Sequence, residues 1–143
     1  MSASTSKLFL VTTSLACIPN PAGEVLLVNR PRSANDTTVD HWTLPGGKSL
    51  EQEAVRDCLQ RCVLQQTGLE IVPLERILVG GLLGSFSLEV WLCSSNGNYD
   101  AHPTADDPLI TDTQWANPGE LPTVLASSRI AHAVSDALHH RAA

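Results

Sequence analysis

The side chains best suited to chemistry lie close together between positions 58 and 66. Cys58 and Cys62 are four residues apart, and Gln65 and Gln66 follow. On a helix of about 3.6 residues per turn, these positions share one face. Two thiols on one face are typical of core packing, because free Cys is among the most buried residue types. They also fit a soft-metal pair or a thiol nucleophile, although the four-ligand zinc set is missing.

The segment that must position these side chains runs from Trp42 to Leu69. Pro45 fixes its own φ, and Gly46 and Gly47 allow backbone angles that are closed to other residues. Gly68 suits the left-handed position that follows the last turn of a helix. The spacing therefore predicts the end of a strand, a sharp Pro-Gly-Gly loop, one helix and a stop.

This segment resembles the Nudix box, G-x5-E-x7-R-E-U-x-E-E-x-G-U, in which U is an aliphatic residue. The matches at fixed spacing are Gly47, Glu53, Arg61, Val63, Gly68 and Leu69. The preceding residues 42–46 are similar to the family's W-x-L-P-G lead-in, and residues 111–122 resemble its late strand and E-L-P turn. Where the pattern has three glutamates after the arginine, this chain has Cys62, Gln65 and Gln66.

The resemblance implies a single Nudix-like domain over residues 1–143, with an α/β fold in which a mixed β-sheet is sandwiched between α-helices. In relatives, the first glutamate folds back on the arginine. Residues 49–52 fit a capping box, but a straight helix starting there would hold Glu53 and Arg61 about 12 Å apart. We therefore predict a loop through Glu53 and a helix over residues 54–66, with Ala54 as a poor cap.

Family members typically cleave a diphosphate linked to another group, using Mg²⁺ or Mn²⁺. Mg²⁺ is a hard cation that takes oxygen ligands, usually carboxylates, phosphates and water. The Gln carbonyl is neutral, and Cys is a soft ligand. We therefore expect no metal and no cofactor at this face of the helix.

Two sets of candidate site residues follow from the resemblance and the residue types. The candidate catalytic positions are Glu53, Arg61, Cys62, Gln65 and Gln66. The candidate substrate-binding positions are Arg30, His41, Gly46, Gly47 and Trp91. For several of them a plainer interpretation stays open: Arg30 and Arg32 as solvated cations, His41 as a surface residue rather than a general base beside Asp40, and Trp91 as core.

The remaining elements are predicted from hydrophobic patterning and turn residues. Residues 1–6 are small and polar and are expected to be disordered. Expected strands cover residues 7–18, 24–29 (the second strand of a hairpin, after a turn at 19–23), 69–83 and 85–93, and the resemblance implies a further strand at 111–115. A final helix is expected from Ser127 or Ser128 to about His140.

Composition limits the partners. The net charge is −6 and the pI is about 5.2, which argues against a nucleic-acid partner. No apolar run of about 18 residues is present, so no membrane span is expected. The four cysteines show no secreted-domain spacing, which favours a reducing, cytoplasmic setting.

Three functions remain open at this point. The first is a repurposed Nudix homologue that binds or transforms a small nucleotide-like or metabolite ligand without standard Mg²⁺-dependent hydrolysis. The second is a Mg²⁺- or Mn²⁺-dependent diphosphate hydrolase with displaced ligands, for which the available acids are Glu51, Glu53, Asp57, Asp106 and Asp107. The third is a non-catalytic interaction module, such as a homodimer.

Overall fold

A computed structural model describes residues 11–31, 41–81, 86–121 and 128–142. The strands are β1 (Val11–Cys17), β2 (Val25–Asn29), β3 (Trp42–Thr43), β4 (Gly46–Lys48), β5 (Ile71–Gly81), β6 (Phe86–Ser95) and β7 (Asp112–Ala116). The helices are α1 (Val55–Thr67) and α2 (Ser128–Ala142), with a 3₁₀ turn at Pro118–Glu120. The predictions for residues 1–10, Arg32, Asp40 and Ser127 lie outside the described residues.

The strands form two sheets. The larger is mixed, in the order β4-β1-β6-β5, with β1 and β6 parallel and the other neighbours antiparallel. The smaller is antiparallel, in the order β3-β2-β7. Neither helix that the structure describes has the length and apolar character to cross a membrane.

The predicted hairpin between the first two strands is present only near its turn. The chain does turn at Pro19–Gly23, where Gly23 has φ +81°. The Pro19–Val25 bridge is flanked by two backbone bonds, in which the Leu26 N–H donates to the Ile18 carbonyl at 3.1 Å and the Asn20 N–H to the Glu24 carbonyl at 2.8 Å. Beyond this point β1 and β2 belong to different sheets. Beyond the turn each strand pairs with other partners: β1 with β4 and β6, and β2 with β3 and β7.

The core has two apolar clusters, one on each face of the strands. Leu15, Leu27 and Val90 belong to the cluster that Val134 of α2 completes. The neighbouring residues Ala16, Leu26 and Cys93 belong to the cluster that Leu59 and Val63 of α1 complete. Because successive strand residues point to opposite faces, this alternation places strands between the two helices and confirms the predicted α/β sandwich.

The glycine segment is a strand rather than the loop that was predicted. Gly46–Lys48 forms β4, which pairs antiparallel with β1 from Thr13 to Leu15. The Ala16 N–H also donates to the Pro45 carbonyl at 2.8 Å. The glycines therefore let an edge strand, β4, run close against β1.

Candidate functional site

Helix α1 starts at Val55, as the Nudix resemblance implied, and Ser49 is not its cap. The N-cap residue Ala54 contributes no side-chain hydrogen bond. The turn before it is closed by Glu53 instead, whose N–H donates to the Leu50 carbonyl at 3.0 Å while its carboxylate accepts from the Leu50 N–H at 2.9 Å. This turn sets the position of the Glu53 carboxylate before the helix begins.

Glu53 and Arg61 form the predicted pair. Arg61 Nε and Nη2 donate to the two carboxylate oxygens of Glu53 at 2.8 and 2.9 Å. The same guanidinium donates to the Gln65 side-chain oxygen and to the Lys48 carbonyl, both at 3.3 Å. Arg61 thereby ties α1 to the preceding turn and to β4, and the bonds from Arg61 and Leu50 lower the pKa of Glu53 to about 2.

We predict that this pair makes the protein sensitive to acid. The pKa of Glu53 is lowered from 4.5 to about 2. The stabilisation of the folded state by the Glu53–Arg61 pair is therefore fully present above the unfolded-state pKa of Glu53. It is lost as the pH falls from 4.5 towards 2. Glu53→Gln should cost about 1–2 kcal/mol at neutral pH and flatten this acid dependence. Urea unfolding at a series of pH values measures both effects.

The matched control for that experiment is Glu51→Gln, an exposed carboxylate two residues earlier. It should leave the unfolding free energy and its pH dependence close to those of the wild type. Indistinguishable pH profiles for the two variants would contradict the role assigned to Glu53.

Gln66 has a role that its sequence position alone did not reveal. Its side chain is 2% exposed and forms two hydrogen bonds with the backbone of Gly46. The Gly46 N–H donates to Gln66 Oε1 at 3.0 Å, and Gln66 Nε2 donates to the Gly46 carbonyl at 2.7 Å. A side-chain amide contains both a donor group and an acceptor oxygen, so it can bond to the N–H and the carbonyl of Gly46 at the same time. We call this pair of bonds the Gln66 clamp.

A cavity of about 540 Å³ opens beside the clamp. Its polar wall carries three cations from different elements, one carboxylate and two amides. The described residues that line it are Thr13, Leu15, Val28, Arg30, Thr43, Leu44, Gly46, Gly47, Lys48, Arg61, Cys62, Gln65, Gln66 and Asp107. Seven of the ten candidate site residues therefore meet at one cavity: Arg30, Gly46, Gly47, Arg61, Cys62, Gln65 and Gln66.

Glu53, His41 and Trp91 are not among the described residues that line this cavity. Glu53 acts on it through Arg61. His41 pairs through its backbone with the end of β2, since its N–H donates to Asn29 Oδ1 at 3.1 Å and its carbonyl accepts from the Arg30 N–H at 2.9 Å. The roles predicted for these three residues, catalytic for Glu53 and substrate-binding for His41 and Trp91, stay predictions.

Trp91 takes the core position that was its plainer interpretation. Its indole packs against the cluster below α1, and its Nε1–H donates to Glu89 at 2.9 Å. The guanidinium of Arg56 lies 5.0 Å from the ring centroid, within range of a cation–π contact. Trp91 is thus half-buried beside α1 and is not among the described residues that line the cavity.

The segment 100–107 brings a further residue to the cavity. It packs against the C-terminal end of α1. The His102 N–H donates to the Thr67 carbonyl at 3.1 Å, and the Thr104 hydroxyl donates to the Gln65 carbonyl. Asp107 at its end accepts from Arg30 Nη2 at 3.0 Å. Sequence reasoning missed this ion pair and also Lys48, although Lys48 directly follows the two glycines and that position was a usable signal.

The donor set at the cavity does not fit a Mg²⁺ ion. The clamp uses both polar atoms of Gln66, and Cys62 offers a soft thiol. Asp107, the carboxylate on the wall, is paired with Arg30. Across the described residues, no three His, Cys, Asp or Glu side chains converge as metal ligands would. Glu51, Asp57 and Asp106, the displaced ligands considered above, are exposed and lie off this wall.

Comparison with known proteins agrees with the fold. The NUDIX domain model matches residues 10–135. The chain therefore belongs to the Nudix family, and the prediction made from the box is confirmed. Curated proteins gave no significant sequence match.

Solved structures of Nudix proteins superpose on most of the chain. A MutT protein from Methanosarcina mazei has a TM-score of 0.68 at 19% identity, covering 93% of this chain and 95% of that one. An ADP-ribose pyrophosphatase from Streptococcus suis has a TM-score of 0.68 at 18% identity (89% and 90%). A Caenorhabditis elegans Ap4A hydrolase has a TM-score of 0.71 at 17% identity (93% and 98%). At these identities the likeness shows the fold.

Proposed function

We propose that this protein is a repurposed Nudix homologue that binds a small, phosphate-bearing ligand, nucleotide-like or another metabolite, without Mg²⁺-dependent hydrolysis. The observation that carries the proposal is the Gln66 clamp. Gln66 occupies one of the box's glutamate positions, and both polar atoms of its amide are hydrogen-bonded to the Gly46 backbone. Its single oxygen is neutral and already accepts from the Gly46 N–H, and its neighbours on the same face, Cys62 and Gln65, carry no carboxylate that would attract a divalent cation.

Charge and size support an anionic ligand. Arg30, Lys48 and Arg61 all line the cavity, and guanidinium and ammonium groups bind phosphate through charge-assisted hydrogen bonds. Lys48 is exposed, so it can reach a ligand without breaking a buried contact. The volume of about 540 Å³ lies within the usual range for small-molecule sites.

An open, polar cavity also favours this proposal over a non-catalytic interaction module. In such a module, side chains would be free to fill the cleft. Here the cleft remains open between β4, α1 and the end of β2, with charged groups around it. A homodimer remains compatible with the proposal but adds nothing to the explanation of the cavity.

The four cysteines support placement in the cytoplasm, which is part of the proposal. All four are buried free thiols, and reduced thiols persist in the cytosol. With a phosphate-binding site that needs no divalent ion, we propose that the protein acts there on a small molecule without a divalent metal cofactor, and that nucleic acids and membranes are not its partners.

Calorimetry with ADP-ribose and with Ap4A, the compounds in the names of two structural relatives, tests the proposal. We expect binding of at least one compound to be equally tight with Mg²⁺ and with EDTA, and the ligand to be recovered intact. Lys48→Ala and Arg30→Ala should each weaken binding about tenfold, the loss of roughly 1.4 kcal/mol from one charge-assisted contact. Binding should also weaken as salt is raised.

The matched control is Arg76→Ala. It removes one exposed cation from β5, at the opposite edge of the larger sheet from β4, and should leave the affinity unchanged. Turnover of either compound that requires Mg²⁺ or Mn²⁺ and is abolished by Asp107→Asn would overturn the proposal. It would favour the hydrolase, the second candidate, because Asp107 is the carboxylate at the cavity wall.

A further inference from the structure

The proposed function does not use the pair of thiols on α1. Cys58 and Cys62 lie one helical turn apart, and their sulfur atoms are 3.9 Å from each other. Both are free and buried, with exposures of 0% and 5%. Cys62 lines the cavity, and Cys58 lies directly against Cys62.

We propose that Cys58 and Cys62 form a two-thiolate site for one soft, thiophilic cation of the Cu(I) class. The inference is independent of the proposed phosphate site and stands if that site fails. Thiolates select soft ions such as Cu(I), and binding releases the two thiol protons to solvent.

The distance between the sulfurs suits one shared ion. With metal–sulfur bonds of about 2.3 Å, sulfurs 3.9 Å apart enclose an angle of about 115° at the ion. This angle fits a trigonal site with one open position. Because Cys62 lies on the cavity wall, that position can be filled by water or an exogenous ligand without any movement of the helix.

The surroundings favour a soft ion of low coordination number over zinc. A structural Zn²⁺ site needs four ligands. No third His, Cys, Asp or Glu joins the two thiols within the described part of the chain. Gly47 leaves room for the sulfur, since a Cβ added there would lie 3.2 Å from Cys62 Sγ.

The contact between the two sulfurs also separates their pKa values. The contact with Cys62 lowers the pKa of Cys58 to about 7, against the opposing effect of burial. The same contact raises the pKa of Cys62, as expected when two thiols share a proton. By contrast, burial raises the pKa values of Cys17 and Cys93 to about 12, which marks these two as inert core thiols.

Anaerobic titration of the reduced protein with Cu(I), held by the coloured competitor bicinchoninate, tests the site. We expect the protein to withdraw one equivalent. Cys58→Ser and Cys62→Ser should each lower the affinity at least a hundredfold, while Cys17→Ala and Cys93→Ala retain it. Zn²⁺ at the same concentration should not bind. Uptake of Cu(I) that survives both serine variants, or equally tight uptake of Zn²⁺, would overturn the proposal.

A second measurement needs no variant and so does not depend on the folding of the serine proteins. Copper-edge X-ray absorption of the loaded wild-type protein should show two sulfur neighbours. Copper surrounded by nitrogen and oxygen alone would place it on histidines such as His139 and would contradict the dithiol site.

Discussion

Gly46→Ala should destabilise the protein more than any other single change considered, by at least about 3 kcal/mol. Gly46 has φ +147°, in a backbone region that is essentially restricted to glycine. A Cβ built there would lie 2.0 Å from the Ser14 carbonyl oxygen and 2.8 Å from the Leu15 Cα. Both atoms are backbone, so no side chain can turn aside to make room.

The expected consequence reaches the cavity. To relieve the clash, β4 must move away from β1, and the Gln66 clamp must open with it. Urea unfolding of Gly46→Ala should show either a large shift of the midpoint or no folded baseline. Any folded protein that remains should bind ADP-ribose or Ap4A more weakly than the wild type, because Gly46, Gly47 and Lys48 all move.

Gly97→Ala is the matched control. Gly97 also has positive φ, at +80°, but a Cβ there meets nothing within 4 Å. Its cost should therefore be limited to the backbone conformation, about 1–2 kcal/mol. Equal destabilisation by the two substitutions would show that close approach to Ser14 contributes nothing.

Gln66→Glu should cost about 2–4 kcal/mol at neutral pH, although it changes one NH₂ group into an oxygen. The wild-type Nε2 donates to the Gly46 carbonyl at 2.7 Å. A carboxylate would place a second acceptor against that carbonyl and would bury a charge at a position that is 2% exposed. The variant also restores the residue that the Nudix pattern has at this position, yet we expect it to weaken the fold.

The pH dependence of Gln66→Glu identifies the cause. Burial beside a carbonyl raises the folded-state pKa of the new acid above its unfolded value, since only the protonated form can donate to Gly46. Its favourable contribution is then complete below the unfolded-state pKa and is lost as the pH rises through the folded-state pKa. Relative to the wild type, the variant should therefore be more stable at about pH 4 than at about pH 8.

Gln65→Glu provides the matched control one residue earlier. Gln65 is half-buried, and its side-chain oxygen accepts from Arg61 at 3.3 Å. A carboxylate can accept the same bond and gains attraction to the guanidinium, so stability should change by less than about 1 kcal/mol. Urea unfolding of both variants at the two pH values is the measurement, and equal losses at both positions would contradict the clamp.

Local spacing in the chain was enough for several parts of this site. Gly68 ends α1 with φ +78°, as the spacing predicted. The start of the helix after Glu53 was predicted from the resemblance to the Nudix box, because the local capping signal at residues 49–52 favours an earlier start. These features depend on short stretches of backbone and on one salt bridge across eight residues. Their geometry follows from helix pitch and from the backbone angles open to glycine, so they can be predicted from residue types and spacing.

Tertiary packing alone decided the rest. The Gln66 clamp joins residues 20 apart, and the Arg30–Asp107 pair joins residues 77 apart. Which partner lies opposite each of them depends on how β4 and the segment 100–107 pack against α1. Trp91 lies on the face of β6 that packs towards α1, so its indole contacts the apolar cluster there. A helical pattern predicts which side chains share a face, whereas the groups on the other side of that face come from elsewhere in the chain.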